Sequence, residues 1–587
     1  MYVKTSVRKT KTGEVRYLQL AHNEWDAAKG RSVPKVIYGF GREDQLDKDA
    51  VRRLVASLSR LVEPGEGPAA GDGGLEFAES RPYGGAYVLD QLWQRLGIGT
   101  ILAGLGSPGR GRPRDTAAAE RVLFGLVANR ALAPSSKLAA SEWMSRDVHI
   151  GGLGEVTDDA CYRAMDWLHA VCGELEKQVY FQVADLLNLQ VDLLFFDTTS
   201  TYFEVGAADE EVPRDRRGEK APRRDGAGGD GGQPGTDDPG DEEDPAGKPA
   251  GFREYGKSKD SRDDLPQIIV GLAVTREAIP VRVWCWPGST ADSALIRQVK
   301  KDMRDWSLGR VIRVADRGFT SKENRKFLQQ GAGGYIIGEK LRSGSAEAQA
   351  ALSRQGRYKT VTGNLQVKEV RLPGAGDRFI ICFNPDQAVR DAAVRAKLIS
   401  QLEELIAGTD QLSATKRAEL RGKISTMPGL NRFLRVTPGA LLRTDKARAK
   451  AEENLDGKYL LRSADPHMTA EDIAAGYKQL LEVERGWRDM KSVLDLRPVY
   501  HRLEERIRAH VILCWLALLL IRIAENQAGQ TWPAMRRELQ RISLGTFTGP
   551  AGTFRQRTEI PKAARNLLTA LNIGVPPKIH ELTTPET

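Results

Sequence analysis

Cysteine and histidine are scarce in this sequence of 587 residues, and each scarcity excludes a class of protein. The five cysteines are odd in number, widely scattered and never spaced as CxxC, so a disulfide-built scaffold is excluded. The seven histidines show no spacing typical of a zinc site. No GxSxG elbow and no HExxH pair occurs, which removes the signatures of α/β-hydrolases and zinc peptidases.

Long apolar segments are also lacking. The longest uninterrupted apolar run, Val511–Ile521, has 11 residues, whereas a membrane-spanning helix needs roughly 18. The N-terminal segment lacks the apolar core of a signal peptide. With 41% hydrophobic and 28% charged residues, the composition is that of a folded globular protein. We therefore expect a cytoplasmic protein with reduced cysteines and no membrane partner.

Excess acidic charge is confined to one segment. Residues 206–250 contain 13 acidic and 7 basic residues, a net charge of −6, with 16 Gly or Pro and no aromatic residue. Such a segment buries too little apolar surface to offset its ordering entropy, and is predicted to be a disordered insert. Because the whole chain carries +9, the remainder carries +15. This basic remainder favours a polyanionic partner such as nucleic acid, although charge also serves solubility.

The N-terminal third divides into a basic β region and a helical region. Short strand-like runs separated by turn residues predict a small antiparallel sheet within residues 1–60. Apolar residues at helical spacing then predict helices across residues 84–188, beside several arginines. This helical region is a candidate for DNA binding, although a solvated helical face explains any single arginine equally well.

From residue 189 the pattern becomes that of an α/β domain. A nearly continuous apolar run ends at Asp197 and predicts a buried strand. A strand hairpin is predicted over residues 268–286, and a further apolar run stops at Asp316. With the predicted helices between them, residues 189–340 have the strand and helix order of an α/β fold.

The rest of the chain interrupts this domain and then completes it. Residues 341–465 break the α/β pattern and are predicted to be an inserted domain. A capping box at Thr469–Asp472 opens one long predicted helix that ends near Leu494. A second, apolar helix follows, so residues 466–527 are predicted to complete the core. Residues 528–587 are predicted to form a weakly packed C-terminal tail.

Two strands that end in aspartate and one helix that carries glutamate form the constellation with chemical meaning. Helical spacing places Glu484 on a mostly apolar stripe made of Ile473, Tyr477, Leu480, Glu484, Trp487 and Lys491. An unpaired buried carboxylate is costly, so this glutamate needs a partner. Arg488 or Lys491 would supply one in a purely structural role. Glu482 lies on another side of the predicted helix and should face solvent.

Three converging carboxylates, Asp197, Asp316 and Glu484, suit hard divalent cations. Mg²⁺ prefers oxygen ligands in octahedral geometry. Two such ions about 4 Å apart can activate the attacking oxygen and stabilise the leaving oxygen of a phosphodiester displacement. The pattern therefore predicts metal-dependent phosphodiester chemistry without a side-chain nucleophile.

At these residues the sequence resembles the DDE (Asp-Asp-Glu) transposases of bacterial insertion sequences. The likeness covers residues of about 190–525 and is carried by Phe196–Tyr202, Val314–Phe319, Tyr477–Lys491, Asp264–Gln267, Pro287–Asp292 and Arg497–His501. The family signature Tyr-x2-Arg-x3-Glu-x6-Lys is matched at Tyr477, Glu484 and Lys491. Leu480 stands in the position of the arginine, which leaves part of the phosphate contacts open.

The resemblance implies an α/β fold: a ribonuclease H-like mixed sheet flanked by helices and interrupted by the inserted domain. It also implies that Asp197, Asp316 and Glu484 bind two Mg²⁺ ions, with Mn²⁺ as the alternative. Water would cleave the phosphodiester bonds at the element ends, and the freed 3′-OH groups would attack target DNA.

The same resemblance implies DNA contacts around the metal site. Tyr477 and Lys491 would contact the terminal phosphates, and Arg488 is a candidate to replace the missing arginine. Arg317 is either another phosphate contact or an ion-pair partner. Some relatives stack a tryptophan on an extruded base, but no tryptophan lies between Trp306 and Trp487. One of the aromatic residues Tyr335, Tyr358, Phe379, Phe383 and Phe433 would have to serve, or the step is absent.

The implied partners are double-stranded DNA, as element ends and as target, and a second copy of the chain on paired ends. The implied location is the bacterial cytoplasm, on the nucleoid when DNA is bound. Two alternatives stay open: a ribonuclease H-like nuclease without strand transfer, and an inactive transposase-derived DNA-binding protein. The length of the chain disfavours a bare nuclease, and the presence of all three carboxylates disfavours an inactive descendant.

Overall fold

The structure is a computed structural model, and it describes residues 2–10, 13–26, 30–42, 46, 51, 54–55, 75–106, 116–189, 191–215, 218–220, 247–306, 311–331, 333–342, 344–374, 376–497, 499–549 and 552–583. The chain folds into two compact units. The first comprises 1–87, 147–149 and 537–587, and the second comprises 88–146 and 150–536.

Strands precede helices in the N-terminal part of the chain. In order, the elements are β1 (Tyr2–Thr10), β2 (Gly13–Asp26), β3 (Arg31–Arg42), β4 (Glu76–Pro82), α1 (Gly84–Arg95), α2 (Ile98–Leu105), α3 (Thr116–Leu132), α4 (Lys137–Glu142) and α5 (Asp158–Leu186). A short π-helical turn, Trp143–Asp147, follows α4. The hydroxyl of Thr157 caps α5 by accepting the amide of Ala160, which fixes where this helix begins.

Strands and helices alternate in the next part of the chain. The elements are β5 (Leu193–Tyr202), β6 (Val212–Arg214), β7 (Gly247–Ala250), β8 (Gln267–Val274), β9 (Pro280–Pro287), α6 (Asp292–Asp302), β10 (Ile312–Ala315), α7 (Lys322–Gln329) and β11 (Gly334–Glu339). Short 3₁₀ turns lie at Arg304–Trp306 and Arg317–Phe319.

The inserted segment follows β11. Its elements are α8 (Ala346–Ser353), β12 (Lys359–Thr362), β13 (Leu365–Arg371), β14 (Arg378–Phe383), α9 (Pro385–Ile406), α10 (Ala414–Ser425), α11 (Pro428–Asn431), β15 (Leu434–Val436), β16 (Leu442–Thr444), α12 (Lys446–Glu453) and β17 (Lys458–Ser463). A 3₁₀ turn, Thr409–Gln411, separates α9 from α10.

The C-terminal part of the chain is mainly helical before it ends in strands. Its elements are α13 (Ala470–Lys478), α14 (Leu481–Ser492), α15 (Glu504–Ala528), α16 (Trp532–Leu539), β18 (Ser543–Gly549), β19 (Gly552–Arg557), α17 (Lys562–Ala570) and β20 (Ile579–Thr583). The expected capping box is present, because Thr469 Oγ1 accepts the amide of Asp472 at 3.0 Å. The single long helix expected after it is wrong: the chain interrupts it at Gln479 and Leu480, between α13 and α14.

A mixed sheet of nine strands organises the second unit, in the order β12-β13-β14-β17-β11-β10-β5-β8-β9. β5, β10 and β11 are parallel, and β8 and β9 continue the sheet antiparallel beyond β5. The strands β9-β8-β5-β10-β11 form the ribonuclease H-like mixed sheet, so the expected α/β fold class is confirmed. The inserted segment extends the same sheet, because β17 pairs antiparallel with β11.

Helices cover both faces of this sheet. On one face, α6 and α7 bury Leu295 and Leu328 against Phe196 and Ala315. On the other face α13 and α14 pack closely through glycines. A Cβ on Gly476 would lie 3.0 Å from Leu193, and one on Gly486 would lie 3.1 Å from Leu272.

Helix α15 forms the apolar centre of the second unit. By length and composition alone it would be apolar enough to cross a membrane, but 94% of its most apolar window is buried inside the fold. It packs against α3, α5, α14 and β9. The role expected for this segment, a core helix, is the one it has here.

The ends of the acidic segment are ordered. β6 and β7 pair with each other, and Arg214, which is 3% exposed, forms an ion pair with Glu504 at 3.1 Å. The expected disorder across 206–250 is therefore wrong at both ends, because a buried ion pair and a strand pair hold them. The central part, residues 221–246, lies outside the described residues.

The described residues of the first unit form two antiparallel sheets. One has the order β1-β2-β3 and corresponds to the predicted basic β region. The other has the order β20-β19-β18-β4 and includes the C-terminal strands. The expectation of a weakly packed tail is wrong for the described residues, because Ile542, Leu544 and Leu567 are each at most 2% exposed.

Candidate active site

Asp197 and Asp316 lie on neighbouring parallel strands. The last paired residues of β5 and β10 are Phe196 and Ala315, so the two aspartates occupy the next position along each strand. β10 ends there, whereas β5 continues to Tyr202 because β8 supplies its backbone hydrogen bonds. The prediction that the first strand stops at its aspartate is therefore wrong, but the two carboxylates still come side by side.

Strand alternation decides which face of the sheet the two aspartates use. Phe196 and Ala315 belong to the apolar cluster under α6 and α7. Successive side chains of a strand point to opposite faces, so Asp197 and Asp316 lie on the face that carries α13 and α14. This is the face on which the predicted glutamate helix packs.

The hydroxyl of Tyr477 holds the second aspartate. It donates to Asp316 Oδ1 at 3.1 Å. A Cβ on Gly338 of β11 would lie 2.4 Å from this hydroxyl oxygen, so the contact needs a glycine there. Burial, and then the charge of Asp316, raise the pKa of Tyr477 far above its usual range, which keeps the hydroxyl protonated and donating. The structure thus directs Tyr477 to a carboxylate, where sequence reasoning expected a DNA phosphate.

Asp197 lies in a partly desolvated, negatively charged position. Its side chain is 23% exposed. Burial is the largest cause that raises the pKa of Asp197 to about 6, and the charges of Asp316 and Asp292 raise it as well, against the opposing charge of Lys259. The two strand carboxylates therefore sense each other electrostatically, as expected for neighbouring oxygen donors.

Lys259 places an ammonium group beside these carboxylates. Its Nζ lies 3.9 Å from Asp197 Oδ1 and 3.3 Å from Asp292 Oδ2. It also donates to the carbonyl and hydroxyl oxygens of Thr198, each at 2.6 Å. The Thr198 hydroxyl in turn donates to Asp292 Oδ1 at 2.9 Å. Thr198, Lys259 and Asp292 thus form one polar network at the strand ends.

Lys491 lies next to this network in an ion pair. Its Nζ is 3.0 Å from Asp260 Oδ1, and Arg497 Nη1 is 2.6 Å from Asp260 Oδ2. Burial lowers the pKa of Lys491, while its hydrogen bond to Asp260 opposes that effect. The ion pair connects α14 and its following loop to the segment that carries Lys259.

Glu484 is exposed, contrary to the expectation that it sits in the middle of an apolar face. The buried residues of α14 are Val483, Gly486, Trp487 and Met490. The interruption before α14 turns its buried side by about 100°, one residue step, relative to the expected stripe. Among the residues that the structure describes, no three His, Cys, Asp or Glu side chains are grouped closely enough to hold a metal ion.

The remaining predicted site residues, Arg317 and Arg488, are both exposed. Arg317 is exposed directly after Asp316, and its charge acts on Tyr477. Arg488 is exposed on α14. Glu484 precedes Lys491 by two helical turns, so both project from the same side of that helix.

Sequence reasoning missed the roles of Lys259, Asp260 and Asp292. Strand pairing alone gives no signal for them: β8 runs antiparallel to β5 with Gln267 opposite Tyr202, so the segment before β8 leaves at the Tyr202 end. The chain then folds back, and the amide of Lys259 donates to Ser200 Oγ at 2.8 Å. The residues expected for base stacking are mostly core. Tyr335, Phe379 and Phe433 are each at most 1% exposed, and Tyr358 packs against Phe383 at a ring distance of 5.6 Å.

The segment Gly251–Ser258 matches the letters of a phosphate-binding loop, G-x4-G-K-S. Such a loop needs a strand before it and a helix that opens at its lysine. Here the segment is irregular and leads through a turn into β8. A Cβ on Gly256 would lie 2.2 Å from the carbonyl oxygen of Gly288, so this glycine serves close packing and not a phosphate.

Two family models match the chain. Residues 242–520 match the family described as Transposase DDE domain, and residues 3–68 match the IS1634 family transposase, N-terminal domain. Together these matches span more than half of the sequence. The chain belongs to the DDE transposases of insertion sequences. This transposase is accordingly a metal-dependent polynucleotidyl transferase whose partner is DNA.

The DDE match includes Asp316 and Glu484 and begins after Asp197. Among solved structures, the transposase is similar to the piggyBac transposase in a synaptic complex with hairpin DNA. The identity is 11%, the TM-score is 0.34, and the likeness covers 79% of this chain and 82% of that chain. No curated protein matches the sequence significantly.

Proposed function

We propose that this transposase binds the ends of its own insertion sequence, cleaves the phosphodiester bonds there and joins the freed 3′-OH ends to target DNA. The observation that supports this best is the register that sets Asp197 and Asp316 side by side at the end of β10. Adjacent carboxylate oxygens of this kind suit Mg²⁺, or Mn²⁺ in its place.

The proposed holders of two metal ions are Asp197, Asp316 and Glu484. Ions bound there would supply electrostatic stabilisation of the attacking and leaving oxygens. The two aspartates supply carboxylates at matching register positions of neighbouring strands. Glu484 lies on the same side of α14 as Lys491, which contacts Asp260 beside the Lys259 network. Glu484 is exposed, and the proposal requires its carboxylate to turn toward the aspartates when metal and DNA bind.

Other residues of the chain would position the reacting groups. Tyr477 orients Asp316 through its hydrogen bond. Lys491, Arg488 and Arg317 are proposed to bind DNA phosphates around the site, with Lys491 exchanging its ion pair for a phosphate. We further propose that the active form is a homodimer on paired element ends, in the bacterial cytoplasm and on the nucleoid when bound.

The test uses purified protein, labelled DNA that carries the inverted repeats flanking its gene, and Mg²⁺. Wild type should nick the ends and join them to a plasmid. Asp197→Asn and Asp316→Asn should abolish both steps while DNA binding persists. Cleavage that survives in either variant would contradict the assignment of that carboxylate.

The third carboxylate has a matched control on the same helix. Glu484→Gln should abolish cleavage, whereas Glu482→Gln should not, because Glu482 pairs with Arg485 at 3.7 Å and lies outside the site. Cleavage without joining in wild type would favour the nuclease alternative. Binding of DNA without cleavage would favour the inactive descendant.

A further inference from the structure

A second polar site lies between α3, α4, α15 and the loop that follows α14. A cavity of about 180 Å³ is lined there by Arg130, Lys137, Asp495, Tyr500, His501 and His510, among others. A cavity of this size holds several waters or one small polyatomic anion. None of these residues belongs to the aspartate site described above.

Lys137 is a buried cation whose partner is neutral. It is 4% exposed, and its Nζ lies 3.4 Å from Nδ1 of His510, which is 3% exposed. Nε2 of His510 lies 3.2 Å from the carbonyl of Leu496, so we assign the proton to Nε2 and acceptance to Nδ1. Burial, and then the charge of Lys137, lower the pKa of His510 well below its usual value, which keeps the ring uncharged.

Arg130 is the second buried cation. It is 2% exposed, and it donates to backbone carbonyls of Ser135, Leu494 and Asp495, the last two at 3.5 and 3.4 Å. Its Nε has no hydrogen-bond partner among the described residues. Among the described residues, neither Arg130 nor Lys137 has a carboxylate within ion-pair distance, and the charge of Asp495 acts on Arg130 only from farther away. Buried cations are normally paired, so this arrangement calls for an anion.

We propose that this cavity binds a phosphate group of a DNA strand. Guanidinium and ammonium donors that converge on one small cavity are the groups that bind phosphate oxygens best. The ring of Tyr500, 70% exposed at the mouth, offers a surface on which a neighbouring base can stack. The DNA source of the phosphate rests on the proposed function, whereas the anion site itself does not.

Continuity with the aspartate site supports DNA as the source. The loop after α14 carries Arg497, which shares Asp260 with Lys491, and then Tyr500 and His501, which line the cavity. One short loop therefore touches both sites. A DNA strand whose cleaved phosphate lies at Asp197 and Asp316 can place another of its phosphates in the cavity.

Without a ligand, neither Arg130 nor Lys137 has a carboxylate at ion-pair distance among the described residues. Burial is the largest cause that lowers the pKa of Lys137 to about 7, with the charge of Arg130 acting in the same direction and Cys514 and Cys161 opposing both. The facing groups are otherwise His501 and His510, both neutral because burial lowers their pKa values, and half-buried Asp495. An arrangement that costs stability without a ligand is typical of a binding site.

The test replaces Lys137 by methionine, which has similar length and no charge. In phosphate-free buffer, Lys137→Met should melt at a higher temperature than wild type, since it removes an unpaired buried charge. Inorganic phosphate should raise the melting temperature of wild type and not that of the variant. Lys301→Met, which changes an exposed lysine in α6, should respond to phosphate as wild type does.

The DNA source is tested by fluorescence anisotropy with duplex DNA and no divalent metal, so that it does not depend on cleavage. Lys137→Met should weaken binding about tenfold, and should reduce the slope of log affinity against log salt by about one. Lys137→Arg, which keeps the charge, should retain most of the affinity. A melting temperature below wild type without phosphate protection would overturn the site, and phosphate protection with unchanged DNA affinity would overturn the DNA source.

Discussion

Replacing Asp197 by asparagine should stabilise the metal-free transposase while it abolishes cleavage. The pKa of Asp197 is raised from 3.8 to about 6, chiefly by burial. The native state therefore holds this proton more tightly than the unfolded state does. Stability contributed by the protonated form is present at low pH and is lost as the pH rises through about 6. The asparagine variant has no charge to bury and escapes this loss.

The magnitude follows from the same two pKa values. A pKa shift of one unit corresponds to about 1.36 kcal/mol. The shift of Asp197 therefore limits the loss of folding stability caused by its charge to about 3 kcal/mol above pH 6. The side chain is 23% exposed, so solvent screening reduces the effect. We expect Asp197→Asn to raise the local free energy of unfolding by about 2 kcal/mol near neutral pH and by little near pH 4.

Hydrogen exchange of peptides that cover β5 and β10 measures the local free energy of unfolding, without assuming that both units unfold together. Wild type and variant are compared with a metal chelator present, near neutral pH and in acid. Millimolar Mg²⁺ should then protect wild type and leave the variant unchanged. Glu174→Gln, an exposed change on α5, should alter neither result. If β5 in the variant, with chelator present, were protected equally to or less than β5 in wild type, the charged Asp197 side chain would not destabilise the native state and the prediction would be wrong.

Three further outcomes are expected. Arg522→Met should lower the free energy of unfolding, measured in urea, by about 1–3 kcal/mol, because it removes the partner of the half-buried Asp489 while the buried Glu525 keeps Arg485; Arg522 is 1% exposed and lies 2.6 Å from Asp489. Tyr477→Phe removes the 3.1 Å hydrogen bond to Asp316, and should weaken Mn²⁺ binding in calorimetry by about tenfold. DNA affinity should fall steeply with salt through counterion release, and a flat response would contradict a phosphate-dominated interface.

Local patterns in the sequence predicted the strands of the catalytic sheet well, because each is a short apolar run whose burial is decided by its own residues. The aspartates at 197 and 316 were recognisable as strand-end carboxylates, and parallel pairing brings such ends together. The continuation of β5 to Tyr202 was not recognisable. The polar run Thr198–Thr201 belongs to a strand only because β8 pairs with it.

Helix periodicity alone misplaced Glu484. The stripe from Ile473 to Lys491 is continuous in the sequence, and nothing in it resembles a helix breaker such as proline or glycine between Tyr477 and Glu484. The interruption at Leu480 arises from packing: α13 must bring Tyr477 to Asp316, while α14 buries Met490 in another direction. Tertiary contacts of this kind override helical propensity.

The buried cations show a further limit, because their environment is assembled from remote parts of the chain. Arg130 and His510 are separated by 380 positions, and the carbonyls of Leu494, Asp495 and Leu496 hold them in place. Asp495 adopts a positive φ of 45°, a conformation that aspartate tolerates better than most residues other than glycine. The loop that carries it lines the cavity together with Arg130 and Lys137, which belong to two helices distant from it in the sequence. No local pattern in the sequence can predict such a site, because its members meet only when the remote elements pack together.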